Sequence, residues 1–167
     1  MQYKINDIVI YGNYGICRIK EIRFTSFSSD RPKEEYFVLS LQDNKKSTCF
    51  VPVSSADSIL RYPMSEAEIE SLLEQARNAH IEWPENRQRR FELFNKILSE
   101  GISVNLILLL GCLYNKRLEN AAKNKTLSAT DEQIFSQAEK LLHNEFAYSL
   151  KLPTDKVSTF ISDCLNK

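Results

Sequence analysis

The residues best suited to chemistry in this sequence lie in one run, Trp83-Pro84-Glu85-Asn86-Arg87-Gln88-Arg89-Arg90, which sets three arginines beside the single tryptophan. A guanidinium is permanently charged and offers a fork of donors that fits phosphate or carboxylate oxygens. A flat indole next to it can stack on a base or wedge beside one, while the amides at a helix start hold phosphate. A purely structural role is the alternative, with the tryptophan stapling a helix to its neighbour and the arginines forming a solvated face. On the residues alone that second reading is preferred. Lys116, Arg117, Lys123 and Lys125 extend the basic character, and a solvated helix end accounts for them.

Enzymatic chemistry needs a nucleophile with a base, paired carboxylates in a cleft, a metal cluster or a phosphate loop, and none of these is visible. His80 and His143 are isolated. Gly12 and Gly15 lack the third glycine and the following helix of a dinucleotide site, so they read as a hairpin bend. Cys17, Cys49, Cys112 and Cys164 lie far apart without a C-x-x-C spacing. They read as reduced thiols acting as small buried apolar groups, with no cofactor or metal expected. Charges cancel, with 22 Lys+Arg against 22 Asp+Glu. Split at Tyr62, the first part has 9 basic and 7 acidic residues and the second 13 and 15. Bulk attraction to nucleic acid or membrane is therefore absent, and any contact with DNA must be a local patch or depend on a partner. The longest apolar run, Leu106 to Leu110, is too short to span a bilayer, and no signal peptide is seen. The expectation is a soluble, cytoplasmic protein that does not bind membranes.

The elements that must position these residues fall into two groups. Ile5 to Tyr11 and Ile16 to Ile22 are β-branched and aromatic runs joined at Gly12-Asn13-Tyr14-Gly15, which predicts a hairpin. Phe24 to Lys33 has a loop composition. Glu35 to Leu41 alternates as a half-buried strand, Asp43 to Lys46 turns the chain, and Thr48 to Val53 returns. Pro52 places that last strand at an edge or marks where it ends, and a fifth short strand is expected between Ile59 and Tyr62. Short strands with tight connections suggest a Tudor-like or SH3-like five-stranded β-barrel over residues 1–62. After Pro63 the pattern becomes helical, and residues 63–167 predict an all-α bundle of about five helices, giving an α+β protein of two domains. Ser65 with Glu68 forms a capping box, Pro84 suits a first helical position ahead of Phe91, Phe94, Ile97 and Leu98, and Gly101 ends that helix. Ser103 is expected to cap a third, nearly all-apolar helix, Thr130 with Gln133 to box a fourth, and Pro153 to precede the last.

Taken together these pieces resemble the CarD family of bacterial transcription regulators (CdnL proteins) over nearly the whole chain. The matching residues are Asp7 to Tyr11, Gly15 to Ile19, Glu35 to Leu39, Val51-Pro52-Val53 and Leu60-Arg61 in the first part. In the second they are Arg89-Arg90, Gly101, Leu127-Ser128, Ala138 to Leu142 and Glu145-Phe146-Ala147.

The resemblance implies an amino-terminal domain that binds the RNA polymerase β subunit, similar to that of transcription-repair coupling factors. It also implies a helical domain meeting promoter DNA, weakly and at backbone and minor groove, by the upstream edge of the melted region, so that the open complex lives longer. The DNA-contacting candidates are Trp83, Arg87, Arg89 and Arg90, with the wedge position left open between Trp83 and Arg87, since Arg87 stands where the family's Asn-Trp-x-Arg-Arg pattern has tryptophan. The polymerase-facing candidates are Tyr36, Val38, Thr48 and Phe50, the last standing where better-known members carry a basic residue. The alternative is a protein-interaction adaptor without DNA contact. The oligomeric state stays open, a monomer being favoured.

Overall fold

The computed structural model describes residues 2–30, 32–42 and 46–165, and it divides into two compact units, Met1–Pro63 and Met64–Lys167. Asp43, Asn44 and Lys45 of the expected turn lie outside the described residues.

In the first unit β1 (Ile8–Tyr11) and β2 (Gly15–Thr25) pair antiparallel, with Tyr11 opposite Gly15. The bend between them holds Gly12 at φ 41° and Gly15 at φ 68°, a region that glycine occupies without a Cβ clash. β2 continues antiparallel into β3 (Glu34–Leu41), and β3 into β4 (Thr48–Pro52). The register of β2 against β3 shifts between Ile19 and Glu21. This bulge changes which residues face inward: Cys17 and Ile19 pack into the core before it and Ile22 after it, so Glu21 and Arg23 turn to the other face. A single helical turn, α1 (Ala56–Ile59), leads to β5 (Leu60–Arg61), which pairs with β1.

The strand order is β4-β3-β2-β1-β5. The expected five-stranded barrel is therefore not closed among the described residues: β4 and β5 are the two edges of an open antiparallel sheet. Two features explain this. Pro52 ends β4 without a donor to extend its ladder, and the turn of helix at Ala56 leaves β5 only two residues long, with Ile59 inside the helix rather than the strand. Val9, Cys17, Ile19, Phe37, Leu39 and Val51 form the core of the sheet's inner face, and the Tyr3 hydroxyl donates to the Leu60 carbonyl at 2.6 Å.

The second unit holds α2 (Glu66–Arg77), α3 (Arg87–Glu100), α4 (Ser103–Ala122), α5 (Ala129–Leu150) and α6 (Thr154–Leu165). Among the described residues there are thus six α-helices, the first of them the single turn in the sheet unit. The Ser65 box forms as expected: its hydroxyl accepts from the Glu68 amide and the Glu68 carboxylate accepts from the Ser65 amide at 2.7 Å. Gly101 ends α3 in the left-handed region.

Three helix starts differ from expectation. α3 begins at Arg87, with Asn86 capping the Arg89 amide at 2.9 Å, because the Pro84 carbonyl is taken by the Arg90 side chain at 2.9 Å and stays outside the helix. Ser103 is the first residue inside α4 rather than its cap, and its hydroxyl lies 3.4 Å from a Glu145 carboxylate oxygen to which it donates. α5 is capped by Ser128, not Thr130, because Asp131 closes the local loop: its amide donates to the Ser128 hydroxyl at 3.1 Å, and that hydroxyl donates to its carboxylate at 2.7 Å. The core centres on α4, whose Leu109 and Leu113 are fully buried with Phe94 and Phe146.

Candidate functional site

Residues on the outer face of the sheet gather at its β4 edge. Tyr36 and Val38 alternate with the core residues Phe37 and Leu39, and the register sets Tyr36 opposite Pro52, Val38 opposite Phe50 and Ser40 opposite Thr48. All four polymerase-facing candidates of the sequence therefore belong to one face. Val38 is buried, while Thr48 is exposed and Tyr36 and Phe50 are half-buried.

The sequence reading missed Phe27, which joins them from the segment read only as a loop. Its ring meets Tyr36 edge-on at 5.0 Å and Phe50 at 4.8 Å, yet it remains 63% exposed. The Arg23 guanidinium, turned outward by the bulge, lies 5.6 Å from the Phe50 ring centroid and pairs with Glu21. The available signal was a lone aromatic in the run Thr25-Ser26-Phe27-Ser28-Ser29-Asp30. Next to these rings β4 pairs only with β3 among the described residues, so one side of its backbone can accept an added strand. Apolar rings beside an open strand edge suit a protein partner.

The tryptophan and arginine run splits in two. Trp83 is half-buried, packs against the helical core and meets Phe94 edge-on at 6.0 Å. The Arg90 guanidinium lies 4.5 Å from the centroid of its ring and the Lys116 ammonium 5.2 Å. Arg90 itself is only 9% exposed, and its guanidinium spans both oxygens of Asp131 at 3.2 and 3.3 Å. These groups fix the entry into α3. Arg87 and Arg89 are exposed, and among the described residues neither side chain has a partner. Two of the four candidates thus point to solvent at the first turn of α3, while the other two hold that turn in place. Phe91, on the second turn of α3, is 47% exposed. It shares a cleft of about 450 Å³ with Arg87, Arg90, Ser128, Thr130 and Asp131.

Of the other basic residues, Arg117 pairs with Glu132 and stacks over Phe135, and Lys116 reaches Glu119 at 3.3 Å and Glu85 at 3.8 Å. Lys123 and Lys125 are exposed. Burial pushes the His143 pKa down, opposed by Glu139, and pushes the Cys49 and Cys112 thiols up. Among the described residues no disulfide joins the four cysteines, two of which are buried. Among the described residues no His, Cys, Asp and Glu group could hold a metal ion, and no helix is long and apolar enough to cross a membrane.

Residues 3–63 match the family model of the CarD-like/TRCF RID domain, a non-catalytic, RNA polymerase-interacting type of domain. The match spans the whole sheet, from Tyr3 in its core to Pro63 at its end. No curated protein matches the chain. Through this amino-terminal unit the chain is similar to the CarD-like/TRCF RID domain family.

Proposed function

We propose that the protein is a non-enzymatic, cytoplasmic transcription regulator that docks on the RNA polymerase β subunit through its sheet unit and touches promoter DNA through its helical unit, prolonging the open complex. The observation that carries this reading is the Phe27, Tyr36 and Phe50 cluster beside the open β4 edge, within the stretch matched by the RID family model. Docking makes weak DNA binding sufficient, since an anchored helical unit meets its DNA at high effective concentration. Arg87 and Arg89 supply the phosphate contacts, and Arg90 with Trp83 keeps them in position. The test is the lifetime of a promoter complex formed by polymerase with the full chain. Arg87→Ala with Arg89→Ala is expected to shorten it toward the value without the protein, and an unchanged lifetime removes the DNA role.

A second reading, an adaptor that binds proteins only, is favoured by one observation: Trp83 and Arg90 are committed inside the molecule. Under it the double arginine variant behaves as wild type while polymerase binding persists.

A further inference from the structure

We propose that Phe91 is the ring that stacks on an unpaired base, with Arg87 holding the adjoining phosphate, in the cleft between the first turns of α3 and α5. The inference rests on the DNA-contacting reading above and names the residue and the DNA form it prefers.

The ring that the sequence would nominate is already in use. Trp83 has the Arg90 guanidinium and the Lys116 ammonium over its ring and Phe94 at its edge, so withdrawing it would dismantle the entry into α3. Phe91 has 47% of its surface open and lines a cleft of about 450 Å³. It lies four residues after Arg87, about 6 Å along a helix and on the same face. That separation is close to the reach from a phosphate to the base of the same nucleotide.

Charge supports the same occupant. The one carboxylate in the cleft, Asp131, is engaged by Arg90 and by the Ser128 hydroxyl, and Glu92 on the next turn accepts from Gln88 at 2.7 Å. Arg87 is therefore uncompensated among the described residues, and the cleft carries a net positive charge. The comparable pair at Tyr114, 52% exposed, differs in this respect, because Arg117 beside it is spent on Glu132 and Phe135. An acidic peptide would satisfy the guanidinium but has no flat face for the ring. A nucleotide satisfies both. Because stacked bases in a duplex hide their faces, the site should favour DNA with unpaired bases.

The experiment is fluorescence anisotropy of the full chain with two labelled DNAs of one sequence length, a matched duplex and a duplex with an internal unpaired bubble, at several salt concentrations. Wild type is expected to bind the bubble more tightly. Phe91→Ala should weaken bubble binding about tenfold and leave the matched duplex unchanged, so that the preference vanishes while the salt slope stays. Phe91→Leu, which keeps the apolar bulk, should lose the preference equally, so a packing defect is not mistaken for lost stacking. Arg87→Ala should weaken both DNAs and lower the salt slope by about one. If Phe91→Ala keeps the preference while Arg87→Ala with Arg89→Ala weakens binding, this inference fails and the DNA reading stands. If no variant changes binding, both fail. Competition by polyglutamate as effective as unlabelled bubble DNA would assign the cleft to acidic peptides and overturn the proposal.

Discussion

Arg90 and Asp131 show what one ion pair decides at the scale of the residue. Their side chains are 10% and 7% exposed, so neither charge is well hydrated without the other. Asp131→Ala is expected to cost about 3 kcal/mol, because it strands a buried guanidinium. Arg87→Ala and Arg89→Ala, at solvated positions, should stay within about 0.5 kcal/mol. Urea unfolding of the three variants measures the contrast, and equal effects would contradict the proposed division between arginines that hold the fold and arginines left free for DNA. His143 supplies a pH test. Its pKa is lowered in the fold, chiefly by burial and against the pull of Glu139, whereas an unfolded histidine titrates at about 6.5. Below that value the unfolded chain takes up a proton that the folded one resists, so the contribution of the neutral ring is complete above about pH 6.5 and is lost as pH falls through the folded pKa. The melting temperature should drop on acidification through that window, and His143→Gln should drop less. The sequence brought the arginines together but could not tell which are paired, since Asp131 lies 41 positions beyond Arg90 and only the packing of α5 on α3 makes them neighbours.

Elements were legible wherever a local signal was unopposed. The Ser65 and Glu68 box, the Gly101 stop, the Gly12 to Gly15 bend and the edge position marked by Pro52 all stand as the sequence indicates. Misreadings arose where two local signals competed. Thr130 with Gln133 has the pattern of a box, but Ser128 with Asp131 has it too, and Arg90 holding Asp131 favours the earlier start. The bulge after Ile19 was not legible, because strict alternation hides a residue that changes face, and with it the outward position of Arg23 was lost. Two glycines separate backbone need from packing need. Gly101 has φ 62°, so Gly101→Ala should destabilise by about 1 kcal/mol. Gly111 lies mid-helix in α4, and a Cβ there would meet nothing within 4 Å, so Gly111→Ala should stabilise by about 0.5 to 1 kcal/mol. Thermal melts of the pair should move in opposite directions.

For the whole molecule, the balance of 22 basic and 22 acidic residues is the physical constraint on function. A neutral chain gains little from long-range attraction to DNA, so the proposed contact at Arg87 and Arg89 must be local and brought into range by another binding event. The aromatic surface of the sheet unit is the proposed means, with apolar rings at its centre and charges such as Arg23 and Glu21 at its margin. Rings of this kind carry a large share of the energy in protein interfaces. The central claim is tested most directly by capture of purified RNA polymerase β subunit on the immobilised full chain, comparing wild type with Phe27→Ser plus Phe50→Ser. Wild type should retain the subunit, and the double variant should bind at least about tenfold more weakly while its circular dichroism stays that of the wild type. Equal capture by the two, or none by the wild type, would contradict the account.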